Sequence, residues 1–522
     1  MLKQYRTFFI IVAVMFGVIT FGTAVVLKTN VNMLLMLGGA ISGVLVLLLW
    51  PNLGTYMGLF IIHTNLSVIA YQFHGVPQIA AGATWLVIGV PFLVYIFIFK
   101  QKVMLDYTLF IMLFLLASVL MSYFGAINKA MALDWIFTYF IEGIVLYFII
   151  LNVVRDRHVL RQCVWAFMIS GALLGSLTLY QDVTKHYEND FGGLAQRQLA
   201  FGVDDEGPAQ RGGGVVRERE KVRRAHRADG PIGDPNRFSQ IQLMIFPLIL
   251  FRFWDEKKMH LKLLAVAGTV LALSGMFLTY SRGAFVTLCI IIGLMTLMRY
   301  IRPGQLIASV LLMLVVVAIA SPGYFNRIAT IGGVEALFKE EAEAESDTVI
   351  LKRTTEMLAA MTVFLDYPVF GVGPNQYTKY YSEEYMANPD IAFHNMKTTR
   401  AAHSLYFQML AEIGLLGFLG FMSIIGYTLF QLNRSRKWWK GRDQELTNFA
   451  TGCMLAIIAY LSTSIFLSFA YQRYCWMIIA IGGATVQLLN MHREEVENEE
   501  LQKARRGENP GMPVEPEMVG QR

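Results

Sequence analysis

The chain has 522 residues, 55% of them hydrophobic and 16% charged, with a mean hydropathy of +0.48. Soluble globular domains carry about a quarter charged residues, and the apolar excess here falls in blocks of about 20 residues, the length that crosses a bilayer core as a helix. This excludes a soluble enzyme, a disordered chain and a disulfide scaffold; the net charge of +6 matters less than where it lies.

The pattern predicts an all-α polytopic membrane protein with about 14 transmembrane helices, near 7–27, 31–50, 53–70, 79–99, 104–125, 132–153, 163–181, 238–253, 261–280, 283–300, 305–320, 404–431, 447–469 and 473–490. Lys3 and Arg6 precede the first run. It is longer than a signal-peptide core and lacks a clear small-x-small cleavage site, so it reads as a retained span. Cys163, Cys289, Cys453 and Cys475 lie in or beside apolar blocks without CxxC spacing. They read as small apolar residues, not as a disulfide framework or a zinc site.

Lys and Arg in the short connections set the orientation. With the N-terminus inside, alternate connections carry Lys100 and Lys102; Arg155, Arg157 and Arg161; Arg252, Lys257, Lys258 and Lys262; Arg299 and Arg302; and Arg434, Arg436, Lys437, Lys440 and Arg442. The opposite short connections hold only Lys28, Lys129, Arg282 and Arg473. Both termini are then cytoplasmic.

The expected organisation is an N-terminal membrane bundle of about seven spans (1–181), an outward loop (182–237), membrane helices (238–320), a large outward loop (321–403), C-terminal membrane helices (404–490) and a disordered cytoplasmic tail (491–522). The first loop contains a basic stretch, Arg217 to Arg227, read as a solvated mixed-charge helix. The second contains an acidic run, Glu340 to Asp347, read as a linker. An amphipathic helix follows, with Ile350, Met357, Met361 and Phe364 at helical spacing. It ends at Asp366-Tyr-Pro368, because proline cannot continue a helix. Gly371 to Asn375 then forms a tight turn.

Three polar groups stand where chemistry is plausible: Arg282 at an outward span junction, Arg353 on the loop helix, and His403 at the outer mouth of a span. An arginine at bilayer depth needs a partner, and histidine suits proton transfer near neutral pH. Glu412, nine residues beyond His403, faces away from it on a continuous helix. His63 and Glu142 sit mid-span and read as structural hydrogen-bonding groups. No nucleotide-binding glycine loop and no metalloprotease or hydrolase signature is present, and Asp204-Asp-Glu206 lacks the surrounding ligands of a divalent site. Metal: none, and cofactor: none, are the expectations.

Taken in order, Arg227-Ala-Asp-Gly-Pro-Ile-Gly-Asp-Pro-Asn236, Ser281-Arg-Gly283, Arg353, Asp366-Tyr-Pro-Val-Phe-Gly-Val-Gly-Pro374, His403 and Glu412-Ile-Gly-Leu-Leu-Gly417 resemble the O-antigen ligase and O-antigen polymerase family of bacterial membrane glycosyltransferases. The resemblance covers roughly residues 225–430. Ser404 stands where the family usually has asparagine, and many members have about twelve spans. The resemblance implies an inner-membrane enzyme with its site facing the periplasm. It would transfer a glycan from an undecaprenyl-diphosphate carrier to a hydroxyl on a glycan, on lipid A-core or on a protein. It implies His403 as base, Arg282 and Arg353 on the diphosphate, and Arg227 and Asn236 as further substrate contacts. The partners are the lipid-linked donor, the acceptor and the bilayer, with no nucleic acid. Within the family, a polymerase and a protein O-oligosaccharyltransferase share these features. Outside it, a solute or anion transporter would carry charge near the midplane, and a lipid-linked glycan flippase would have a charged central cavity.

Overall fold

A computed structural model describes residues 43, 46–73, 83–187, 191, 227–305, 307, 345–393, 399–469 and 472–505. Among the described residues there are helices and no strands. The predicted span at 7–27, most of that at 31–50, nearly all of that at 305–320, the basic stretch up to His226, Asp204-Asp-Glu206 and most of the acidic run lie outside them.

The helices are α1 (Pro51–Thr64), α2 (Leu66–Phe73), α3 (Ala83–Leu93), α4 (Tyr107–Tyr123), α5 (Lys129–Val153), α6 (Arg157–Thr184), α7 (Pro235–Asp255), α8 (Met259–Leu278), α9 (Arg282–Leu297), α10 (Glu345–Asp366), α11 (Ser382–Met386), α12 (Leu405–Trp439), α13 (Gln444–Thr463) and α14 (Gln472–Arg505). Among the described residues, six helices are long and apolar enough to cross a membrane: α5, α6, α8, α12, α13 with its last turn, and α14. Thr84–Ile98, α4 and α9 are shorter apolar helices.

Close backbone approach organises the centre. Gly171 and Gly175 on α6 face Gly268, Ala272 and Gly275 on α8, and a Cβ at Gly175 would lie 2.1 Å from the Leu271 carbonyl oxygen. Small residues four apart let membrane helices pack backbone to backbone, where dispersion and close fit replace the hydrophobic drive available in water. α7 packs on α8 and α13, and α12 packs on α4, α10 and α13.

The contacts between connections sort them to two ends. One end carries the basic residues. There Arg157 pairs with Asp443 at 2.6 Å, and Glu445 is shared by Arg161 (2.7 Å) and Arg252 (3.0 Å). Asn152 meets the Met104 backbone at the same end. The opposite end carries the 227–237 segment, the turn between α8 and α9, the 367–386 segment and the start of α12.

Two expectations need correction. The loop helix α10 forms and ends at Asp366 as predicted. Its buried stripe, however, is Thr355, Glu356, Ala359, Ala360 and Val363, and Met357, Met361 and Phe364 are only half-buried. The alanines allow the closer approach to α12, while Leu365, Tyr367, Val369 and Phe370 stay exposed beyond it. The chain after Met491 is not disordered from its start: α14 continues to Arg505. A charged helix holds together there because Arg493 pairs with Glu497 one turn on at 2.7 Å and lies over the Trp438 ring.

The intramembrane polar groups are paired. Ser170 Oγ lies 2.8 Å from His63 Nδ1, and Glu142 meets Arg473 at 3.1 Å. Arg473 also donates to Asn65 Oδ1 at 2.5 Å, so the bare-looking arginine of one connection neutralises the carboxylate of another span. Cys163, Cys453 and Cys475 are buried and free, and Cys289 is half-buried and free.

Candidate active site

The segment before α7 is built to be rigid. Asp229 and Gly230 donate their amides to Gln181 Oε1 at 3.1 and 3.0 Å, and Gln181 Nε2 returns a bond to Asp229 Oδ1 at 2.7 Å. Gly230 has φ +56°, and a Cβ there would meet Thr178 and Phe238 at under 3 Å. Asp234 then caps α7, accepting from the amides of Asn236 (2.6 Å) and Arg237 (3.0 Å), with Pro235 in the first turn.

Arg227 ties this segment to the α8–α9 turn. Its Nε donates to the Thr279 carbonyl at 2.8 Å and its Nη2 to Asn236 Oδ1 at 3.1 Å. Arg282 is the first residue of α9, just after the Ser281 cap. Arg227, Asn236 and the turn that presents Arg282 are therefore one structural unit. Arg237, one residue on, points its guanidinium elsewhere, donating from Nη1 and Nη2 to the Ser468 carbonyl and hydroxyl, both at 2.7 Å.

His403 precedes α12 in a left-handed backbone conformation, φ +45°. Tyr280, just before the Ser281 cap, has φ +52°. Such geometry is costly for residues with a Cβ and persists where the surroundings enforce it, often at functional sites. His403 Nε2 lies 3.6 Å from Glu356 Oε2, with the side chains 15% and 1% exposed. Burial lowers the His403 pKa, and Arg353, Arg400 and Arg237 lower it further against an opposing pull from Asp234, bringing it to about 3. The ring is neutral at pH 7 and stands among cations. This is a poor place for another positive charge and a favourable one for an anion.

Below His403 the two halves of the glycine-rich pattern meet. Val372 and Gly373 donate their amides to the Ala411 and Glu412 carbonyls at 3.0 and 2.9 Å. Leu415 donates to Pro368 at 2.8 Å and Leu416 to Val369 at 3.3 Å. α12 is broken at Gly414 (φ +64°, ψ −169°) to allow this. Glu412 does not face His403: its Oε2 accepts from the Asn375 amide at 3.0 Å, and its Oε1 accepts from Gln408 at 3.3 Å. Tyr377 donates to the Glu356 carbonyl at 3.2 Å. Burial, with Glu356 and Glu412 nearby, raises the Tyr377 pKa well above the ordinary phenol value.

Three helix N-termini, those of α7, α9 and α12, open at this end. Each carries partial positive charge, and at α7 and α9 first-turn amides are already taken by the Asp234 and Ser281 side chains. Ser404, the N-cap of α12, makes no side-chain capping bond. Of the sequence-predicted residues, His403 and Arg353 act on one another electrostatically, while Arg227, Asn236 and the Arg282 turn form the neighbouring unit. The N-terminus of α7 joins the two through Asp234 and Arg237. Glu356, Arg237 and Arg400 were not singled out by sequence. Arg237 follows directly on the Asp-Pro-Asn cap, and that adjacency was the one available signal for it.

Residues 267–422 match the family model described as O-antigen ligase. The match takes in Arg282, Arg353, His403 and the glycine-rich pairing. A search of curated proteins found no match.

Proposed function

We propose, starting from the O-antigen ligase match at residues 267–422, that the chain transfers a glycan from an undecaprenyl-diphosphate carrier to an acceptor hydroxyl at the periplasmic face of the inner membrane. The observation that carries the reading is the setting of His403: a neutral imidazole at one end of a membrane bundle, within the field of Arg353, Arg400 and Arg237. On this reading Arg282 and Arg353 hold the diphosphate. A guanidinium is always charged and can fork onto two phosphate oxygens, and its charge stabilises the leaving group as the glycosidic bond breaks. His403 takes the proton of the attacking hydroxyl. Direct displacement inverts the anomeric carbon, and the energy comes from the diphosphate linkage. Arg227 and Asn236, bonded to each other at the adjoining rim, would line the approach of the sugar. The loops at 182–237 and 321–403 are then periplasmic.

Product analysis by gel tests the reading. Membranes carrying the chain, given lipid-linked donor and lipid A-core acceptor, are expected to yield glycan on lipid A-core. Extension of the glycan while still on its carrier would make the chain a polymerase, and transfer to protein would make it an O-oligosaccharyltransferase. No transfer to any acceptor would overturn the enzymatic reading.

A further inference from the structure

Glu356 is a buried carboxylate that the roles above leave unused. It lies three residues after Arg353 on α10, so both project from neighbouring positions of one helix face. Its side chain is 1% exposed, and its Oε2 stands 3.6 Å from His403 Nε2. The turn that carries it is fixed from the other side by the Tyr377 hydroxyl on its carbonyl, within a packed set of Ala360, Val363, Val372, Tyr377 and Ala402. A carboxylate held this deep is costly unless hydrogen-bond donors or cations face it.

We propose that Glu356 is the positioning residue of the base: from 3.6 Å in the resting structure it closes to a hydrogen bond with His403 Nε2–H as Nδ1 takes the proton, and it steadies the imidazolium that forms during transfer. This rests on the reading of His403 as the base. In the step, the acceptor O–H bond breaks and its proton goes to Nδ1. The oxygen lone pair forms the new bond to the anomeric carbon. The bond from that carbon to the diphosphate oxygen breaks, with its electron pair staying on the diphosphate. The imidazolium later returns its proton to solvent. A carboxylate behind the ring matters here because Arg353, Arg400 and Arg237 all disfavour a positive ring while Asp234 favours one, and Glu356 stands 3.6 Å from its Nε2. A carboxylate in that place fixes tautomer and orientation and stabilises the charged ring without itself taking the proton.

The test compares the full-length protein in lipid nanodiscs as wild type, His403→Ala, Glu356→Gln and Glu356→Asp, with lipid-linked donor and acceptor. Glu356→Gln is expected to lower kcat by about tenfold or more, as loss of help to a general base does. Its donor KM should be unchanged, and the acid limb of its kcat profile should move to lower pH. Glu356→Asp keeps the charge and should recover part of kcat with the wild-type limb. If His403→Ala is inactive while Glu356→Gln matches wild type in kcat and limb, the Glu356 assignment alone fails. If His403→Ala transfers normally, the base reading beneath it fails. Equal losses in Glu356→Gln and Glu356→Asp without a pH shift, or melting of both well below wild type, would make Glu356 a packing residue and overturn the proposal.

Discussion

Gly371 and Gly414 touch backbone to backbone: a Cβ on Gly414 would lie 2.6 Å from the Gly371 amide nitrogen and 2.4 Å from the Val369 carbonyl oxygen. Gly414 also sits at φ +64°, ψ −169°, a region essentially restricted to glycine and costing other residues about 1–3 kcal/mol. Gly414→Ala is therefore expected to lower both thermal stability in detergent and glycan transfer. Gly426, on the same helix with open space around it, should accept alanine with little change. Equal melting of the two variants would mean the 367–376 segment is not pinned through this contact.

His403 should carry most of the rate. His403→Ala is expected to lose about 10²–10⁴-fold in transfer while still inserting and still binding lipid-linked donor. Donor binding and single-turnover transfer, measured separately, check this; near-normal transfer would leave His403 as an interfacial residue.

The same ring predicts a pH dependence of stability. Its pKa in the fold is about 3, against 6.5 for the free side chain, so below 6.5 the unfolded chain binds a proton that the folded chain does not. The contribution is fully present above 6.5 and is lost progressively as pH falls toward 3. Melting curves across that window should slope downward with acid for wild type and less steeply for His403→Gln. Identical slopes would show that the ring does not titrate as its surroundings require.

Arg282 and Arg353 should behave unlike ordinary surface arginines. Lysine keeps the charge and loses the planar fork, so Arg282→Lys and Arg353→Lys should each cost substantial transfer. Arg302→Lys, exposed at the other end, should not. The double Arg→Ala change should cost less than the sum of the singles, because groups acting on one substrate are non-additive. Transfer at matched expression is the readout, and if all three lysine variants behave alike the diphosphate is held elsewhere.

Sidedness follows from the Lys/Arg parity. Reporter fusions after Asp190 and Glu384 should report the periplasm, and fusions after Lys258 and Lys440 the cytoplasm. Signals from opposite sides for Asp190 and Glu384 would break the site apart.

Hydropathy made the helices legible, because bilayer thickness dictates run length and leaves a signal in every span. Charge parity likewise foreshadowed the gathering of Arg157, Arg161, Arg252 and Arg442 at one end. His403, Arg353 and the glycine pattern stood out through order and spacing. Glu356 did not: its meaning lies in α10 turning its alanine stripe inward, and the spacing of Met357, Met361 and Phe364 pointed to a neighbouring face. Arg473 was opaque for a similar reason. A charge in a short connection reads as solvated until the partner, Glu142 for Arg473, is brought to it by packing.

Glu445 grips Arg161 and Arg252 at the end away from His403 and so fastens α6, α7 and α13 to one another there. Arg252 is 4% exposed in that grip, and removing one partner of so buried a pair costs about 3–5 kcal/mol. The opposite end is held by hydrogen bonds instead, from the Asp229 and Gly230 amides to Gln181 of α6 and from Gln240 of α7 to the Tyr460 carbonyl and the Ser464 hydroxyl, so the bundle is latched at both ends, by charge at one and by neutral groups at the other.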